Sequence, residues 1–311
     1  MSIPYTLQQL RFLQALTREN SFTQAAESLF MSQPALSKQI KILEEKLEIK
    51  LISRENQKIS LTEAGNLLFQ YSERILMLCE ESCRALSDLK NGDRGILTVG
   101  ASQTIGTYLM PRVLALFGQH YPQINLKVQV DSTRIIAKNI IDRNIDIAVV
   151  GGNIPDELKK NLEIENFIED ELILIIPKSH PFALNKRLVI TTDSLYHLKF
   201  ITLNSYSTTQ RFINKILIEN NIETKKFNII MELNSIEAIK TAVGLGLGVA
   251  FVSNSVIEKE IKLKTIEIVR IENIKITRTL SIVANPECYK SKAFEFFYND
   301  LCFLKKAYVT N

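Results

Sequence analysis

From Ala64 to Leu89 apolar or small residues recur at Ala64, Leu68, Tyr71, Ile75, Leu78, Ser82, Ala85 and Leu89, in alternating steps of 4 and 3. That is a heptad seam, and it fixes one uninterrupted helix, at ~1.5 Å per residue about 40 Å long. Thr62 stands ahead of it as a cap, and Asn91-Gly92-Asp93-Arg94-Gly95 closes it. So long a helix projects beyond any small domain, and it divides the chain into residues 1–61, the helix at 62–90 and residues 91–311. Its seam, with Leu68, Tyr71, Ile75 and Leu78 in the middle, needs another helix to cover it, and its copy in a second chain is the natural partner; packing on the chain's own carboxy-terminal part is the alternative.

The first part reads as three short helices. Thr6-Leu7-Gln8-Gln9 is a capping box, followed by a stripe of Leu7, Leu10, Leu13 and Leu16. Asn20 breaks that helix, and Ser21-Phe22-Thr23-Gln24 repeats the box before Phe22, Ala25, Ala26 and Leu29. In Ser32-Gln33-Pro34-Ala35, Ser32 is the N-cap and Pro34 lies in the first turn, where a missing N–H costs nothing. Leu36, Ile40, Leu43 and Leu47 line the inner side of this third helix, and the outer side presents Gln33, Pro34, Ser37, Lys38 and Lys41. No acid occurs between Gln33 and Leu43. Gln can hydrogen-bond a base edge at two points and Lys meets phosphate, so this side suits a major groove. Two helices joined by a short turn form a helix-turn-helix, with Ser21, Thr23 and Gln24 beside the reading helix; spacing alone leaves a plain three-helix bundle equally open. Leu51 to Leu61 alternates around Asn56-Gln57 like a hairpin wing, from which Arg54 and Lys58 reach phosphate or minor groove.

Residues 21 to 65, with Ser21-Phe22-Thr23-Gln24-Ala25-Ala26, Ser32-Gln33-Pro34-Ala35-Leu36-Ser37-Lys38 and Leu61-Thr62-Glu63-Ala64-Gly65, resemble the winged helix-turn-helix of LysR-type transcriptional regulators. The chain differs at two positions, having Glu48 where the family usually has Gly and Ile52 where it usually has Phe. The resemblance implies double-stranded DNA and RNA polymerase as partners, and a homodimer or homotetramer assembled through the connecting helix.

From Gly95 onward strands and helices alternate: strands at 96–100, 124–130 and 146–150, helices at 109–117 and 133–142, then apolar strands at 171–177, 200–203 and 248–252 with a helix at 235–243. Such βαβ units imply parallel sheets in an α/β domain of two lobes. This part is similar to the type II periplasmic-binding-protein fold of LysR effector domains, and Lys178-Ser179-His180-Pro181-Phe182 matches a turn of that family. Ligands of open α/β sheets bind beyond the carboxyl ends of strands, often at helix N-termini. That rule selects Ser102, Gln103 and Thr104 after the first strand, Ser132 and Thr133 after the second, and Asn204 and Ser205 after the strand at 200–203. The chemistry of these walls fits a small anionic metabolite, and no bound cofactor is expected.

Several functions are excluded or weakened. Gly244-Leu245-Gly246-Leu247-Gly248 follows a helix and enters a strand, the reverse of a dinucleotide fingerprint. His120, His180 and His197 are far apart, no nucleophile-elbow or zinc-protease motif occurs, and Cys79 and Cys83 lack further metal ligands nearby, so neither catalysis nor metal binding is expected. No apolar run approaches the ~18 residues of a membrane helix, and the start lacks the pattern of a secretory signal. A solute-binding protein, the other class sharing the two-lobed fold, would leave residues 1–60 without a purpose. The 40 Ile against 17 Ala, with 25 Lys against 13 Arg, are what AT-rich coding DNA produces. Within the family, residues 130–152 are most similar to regulators of RuBisCO operons in plastids and cyanobacteria, which implies a plastid location, with a bacterial cytoplasm as the alternative, carbon-fixation genes as targets, with another metabolic operon as the alternative, and carbon-fixation metabolites or reduced nicotinamide nucleotides as effectors.

Overall fold

The computed structural model describes residues 3–55, 58–91 and 95–309, and the side chains within them other than those of 54, 55, 58, 59, 84, 87–91 and 307–309. The chain divides into two compact units, Met1–Lys90 and Asn91–Asn311.

The first unit holds helices α1 (Leu7–Glu19), α2 (Phe22–Ser28) and α3 (Gln33–Leu47), the hairpin β1 (Ile52–Glu55) and β2 (Lys58–Leu61), and the long α4 (Glu63–Asn91). Both halves of the capping box form at Thr6 and Gln9, whereas at Ser21 the hydroxyl accepts from the Gln24 amide. Leu10, Leu13, Leu16, Ala25, Leu36 and Leu43 are fully buried where the three helices meet. Leu7 is not: steps of three drift by about 60° against a 3.6-residue turn, so the fourth member leaves the stripe and stays 49% exposed, while Phe12 enters the core. On α4 the positions Gly65, Ser72 and Leu76 are buried. Gly65 is required there, because a Cβ would lie 2.1 Å from the Leu51 carbonyl oxygen.

The second unit runs β3 (Gly95–Ser102), α5 (Gln103–Tyr108), α6 (Met110–His120), β4 (Ile124–Asp131), α7 (Thr133–Ile141), β5 (Ile147–Val150), α8 (Asp156–Lys159), β6 (Glu163–Pro177), α9 (Pro181–Leu184), β7 (Val189–Ile190), α10 (Thr192–Leu195), β8 (Lys199–Leu203), α11 (Thr208–Glu219), β9 (Asn228–Leu233), α12 (Ile236–Gly244), β10 (Ala250–Ser253), α13 (Glu258–Leu263), β11 (Ile266–Ile271), β12 (Ile276–Ala284) and α14 (Lys292–Val309). The main sheet has the order β4-β3-β5-β12-β6-β11-β7, with β10 also on β6, and β8 pairs with β9 apart from it. The sheet is mixed, which corrects the expectation of parallel sheets. β3 pairs parallel with β4 and β5, but β12 runs antiparallel to β5 and β6, and β10 and β11 run antiparallel to β6.

The antiparallel strands make two lobes from one sheet. Phe167, Leu280 and Ile282 belong to one core with Val99, Phe117 and Phe297, while Leu172, Leu174 and Ile276 belong to another with Phe200, Ile213 and Phe251. β6 and β12 therefore pass from lobe to lobe side by side. Gly246 has φ +82 in the turn from α12 to β10, the helix-to-strand connection its glycines announce.

Candidate functional site

On α3, Ser32, Gln33, Pro34, Lys38 and Lys41 are exposed and Ser37 is half-buried. The Ser32 hydroxyl accepts from the Ala35 amide at 3.4 Å, which leaves the helix start facing outward. On α2, Thr23 and Gln24 are exposed and Ser21 is half-buried as the cap. Lys41 pairs with Glu45 at 3.7 Å with both partners exposed, an i,i+4 pair of little strength that yields readily to a phosphate. Arg54 and Lys58 occupy the paired strands of the wing, and their side chains lie outside the described residues.

The first acid of α3 points inward. Glu44 is 8% exposed, and its Oε1 accepts from the amides of Leu51 at 2.9 Å and Ile52 at 3.1 Å, while Oε2 accepts from Lys50 Nζ at 2.9 Å. Burial pushes this carboxyl up, but the Lys50 ammonium and the two amides outweigh burial and hold it below its ordinary value. The carboxylate thus ties the wing to α3 and keeps its charge off the outer side. Sequence reasoning passed over Glu44 as an acid at a helix end; the signal was its place four residues after Ile40, on the buried stripe.

Along α4 the seam residues Leu68 and Ile75 are half-buried, and Tyr71 and Leu78 are exposed by 54% and 57%. Leu67 and Leu86 widen the exposed apolar stripe, and the Leu89 side chain lies outside the described residues.

In the second unit a cavity of about 280 Å³ opens between the lobes. Ser102, Gln103, Thr104, Ser132, Thr133 and Asn204 all line it; Ser205 does not. Sequence reasoning missed Gly151, Tyr206, Ser207, Thr208, Thr209 and Asn234, which complete the wall with Leu203 and Ile236. The signal for the 207–209 group was present, since Ser207 followed by Gln210 is a helix-start pattern, and the Ser207 hydroxyl accepts from the Gln210 amide. No lining side chain is charged. Hydroxyls dominate, and the N-caps Ser132 and Ser207 place the positive ends of α7 and α11 at the cavity. Ser102 caps α5 by position only: its hydroxyl accepts from the Gly151 amide at 3.1 Å, bracing the ends of β3 and β5. Asn204 is also a brace, donating to Asn234 at 2.5 Å and accepting from the Tyr206 amide. The Thr133 Oγ1 is buried without a hydrogen-bond partner.

Behind this wall lies a buried charge cluster that no sequence motif announced. Arg278 on β12, 4% exposed, donates through Nε to Asp170 on β6 at 2.8 Å and through Nη1 to the Gly151 carbonyl and the Thr209 hydroxyl. Asp170 also accepts from Ser253. One guanidinium therefore touches the crossing strands and a wall residue from each lobe. A second bridge lies across the lobes, where Tyr108 donates to Glu237 at 2.5 Å and Arg112 pairs with Glu258 at 2.5 Å. Burial, and then the Glu237 carboxylate, push the Tyr108 phenol well above its ordinary range. Buried Lys240 completes the cluster on Glu260 at 2.9 Å. Among the described residues no group of His, Cys, Asp and Glu is arranged to hold a metal, and no helix is long and apolar enough to cross a membrane.

A helix whose exposed first half carries no acid in a winged helix-turn-helix, a long exposed helix and a two-lobed domain with a polar cleft define a ligand-responsive DNA-binding protein. Two family models match in succession, the bacterial regulatory helix-turn-helix protein of the lysR family over residues 7–66 and the LysR substrate binding domain over residues 90–301. The chain belongs to the LysR family, DNA-binding transcription regulators with an effector-binding domain, and is not an enzyme. It is 70% identical over 305 residues to the "Probable RuBisCO transcriptional regulator" of Thalassiosira pseudonana, covering 98% of this chain and 99% of that one. Full-length CbnR complexed with its target DNA shares the fold, with a TM-score of 0.67 at 20% identity over 96% of this chain and 99% of that one. So does the regulatory domain of Synechocystis PCC6803 CcmR in complex with 2-PG, with a TM-score of 0.61 at 23% identity over 68% of this chain and 98% of that one. Proteins of this family bind DNA and small effectors and form oligomers.

Proposed function

We propose that this regulator acts on RuBisCO or other carbon-fixation genes in a plastid, reading its operator with Ser32, Gln33, Ser37, Lys38 and Lys41 of α3 while Thr23, Gln24 and the wing meet the backbone. The observation that carries the reading is the outer side of α3 from Gln33 to Lys41, which holds no acid, while the first carboxylate of the helix, Glu44, is turned into the wing. The 70% identical relative supports the target genes and the plastid. Residues 1–61 bind DNA, the stripe on 62–90 joins two copies, and residues 91–311 sense the effector. RNA polymerase is the further partner, and the assembly is a dimer or a pair of dimers.

The effector is a small anion of few carbons bearing phosphate or carboxylate, held by hydroxyls and helix-end amides at the 280 Å³ cavity. That volume falls just below the roughly 300–1,000 Å³ of drug-sized sites, in keeping with a small metabolite. The 2-PG held by the CcmR domain is of this class. Effector shifts the balance between lobe arrangements only by its difference in affinity for them, and that shift alters the spacing imposed on the two reading helices. Binding-site selection with Gln33→Ala tests the operator reading: relaxed preference at one base position, with a cost of ~1 to 3 kcal/mol, is expected, and an unchanged selected sequence contradicts it. Thr104→Val tests the cleft: loss of the melting-temperature rise produced by 2-PG is expected, and an unaltered rise moves the site elsewhere.

A further inference from the structure

The side chain of Phe30, in the turn between α2 and α3, is fully exposed at 100%, and its backbone has φ +54. Each feature is unfavourable alone. A bulky L residue rarely enters the left-handed region, and an exposed ring leaves a large apolar surface in water. The turn itself explains the direction but not the residue. Leu29 and Met31, on either side, pack against the core of Phe12, Leu16, Phe22 and Leu36, and the Phe30 and Met31 amides donate to the carbonyls of Glu27 and Ala26. Position 30 must therefore face out in a left-handed conformation, which Gly or Asn would satisfy with less strain. Phe30 is also remote in sequence from the apolar stripe of α4, whose exposed members are Leu67, Tyr71, Leu78 and Leu86.

Phe30 leads directly into the start of α3, with Ser32 and Gln33 exposed two and three residues on. Those residues enter the major groove in the reading given above, on which this inference rests. Base edges there are polar except for the C5-methyl group of thymine, against which a side chain can bury apolar surface. We propose that Phe30 is a specificity-determining residue that seats its ring on a thymine methyl at the edge of the sequence read by α3.

The test uses the full-length protein and a duplex recovered by in vitro selection with the wild type, made once with thymine and once with deoxyuridine throughout. Wild type is expected to bind the deoxyuridine duplex roughly 3- to 10-fold more weakly, the worth of one or two buried methyl contacts. Phe30→Ala and Phe30→Asn should weaken binding to the thymine duplex by a similar factor and be indifferent to the replacement. Phe30→Asn should also melt no lower than wild type, so its loss of affinity cannot be a loss of fold. Variants that bind the thymine duplex as wild type does, or that keep the full deoxyuridine penalty, overturn the proposal. Failure of the wild type to select any duplex would instead strike the DNA reading itself.

Discussion

Replacing Arg278 by Met tests how the two lobes are held together. Arg278 is 4% exposed, and its partner Asp170, 6% exposed, keeps only Ser253 as a donor among the described residues once the arginine is gone. A buried carboxylate stripped of its cation costs ~3 to 5 kcal/mol. The Gly151 carbonyl and the Thr209 hydroxyl lose a charged donor as well, a further ~1.5 kcal/mol or more that adds only in part because the groups form one network. A total near 5 kcal/mol consumes a third or more of the roughly 5–15 kcal/mol by which domains are stable. Urea unfolding followed by far-ultraviolet circular dichroism should show the variant unfolding at much lower urea. The double variant Arg278→Met with Asp170→Leu removes both charges and should recover most of the loss, yet respond weakly to effector, because no side chain then joins Gly151 to Thr209. A single variant within 1 kcal/mol of wild type, or a double variant no better than the single, would refute the assignment of the cluster as a charge-paired tether.

Glu44→Gln should lower stability by ~1.5 to 3 kcal/mol near pH 7, since the carboxylate accepts from two amides and an ammonium. Because the folded carboxyl titrates below its ordinary value of 4.5, its contribution is full above that pH and is lost as pH falls through the lower folded value; urea midpoints of wild type and variant should therefore converge in acid and diverge above pH 5. Glu48→Gly should stabilise the first unit by about 0.5–1 kcal/mol, because residue 48 caps α3 at φ +53 and glycine adopts that conformation without a Cβ clash; thermal melting checks the sign. Leu78→Asp, on the exposed stripe of α4, should dissociate the oligomer in sedimentation velocity without unfolding either unit.

The first unit was legible because each element is specified locally. Caps at Thr6, Ser21 and Ser32 set the helix starts, and the inner stripe of α3 fixed which side faces out. The Glu48 difference from the family also becomes intelligible: the position demands a left-handed backbone, and Glu pays some strain there while the wing still pairs. The second unit was harder because its character is set by pairing between distant strands. β6 extends eight residues earlier than expected, since Glu163, Glu165, Glu169 and Asp170 make its first half read as a polar loop; in the fold that half runs along β12 at the sheet centre. β12 itself, and with it Arg278, gave no local sign of lying between two lobes. The cleft was half legible: rules about strand ends found Ser102, Thr104, Ser132 and Thr133, but the opposite wall at Ser207, Thr208 and Thr209 depends on a helix start that went unread.

In the proposed complex α3 lies in DNA with its lysines on phosphate. The salt dependence of duplex binding, measured by gel shift for wild type and Lys38→Ala, tests this most directly. Log affinity should fall linearly with log salt for both proteins, the slope of Lys38→Ala should be shallower by ~1, and its affinity should drop by a similar factor on selected and random duplexes. Equal slopes and equal affinities for the two proteins would contradict it.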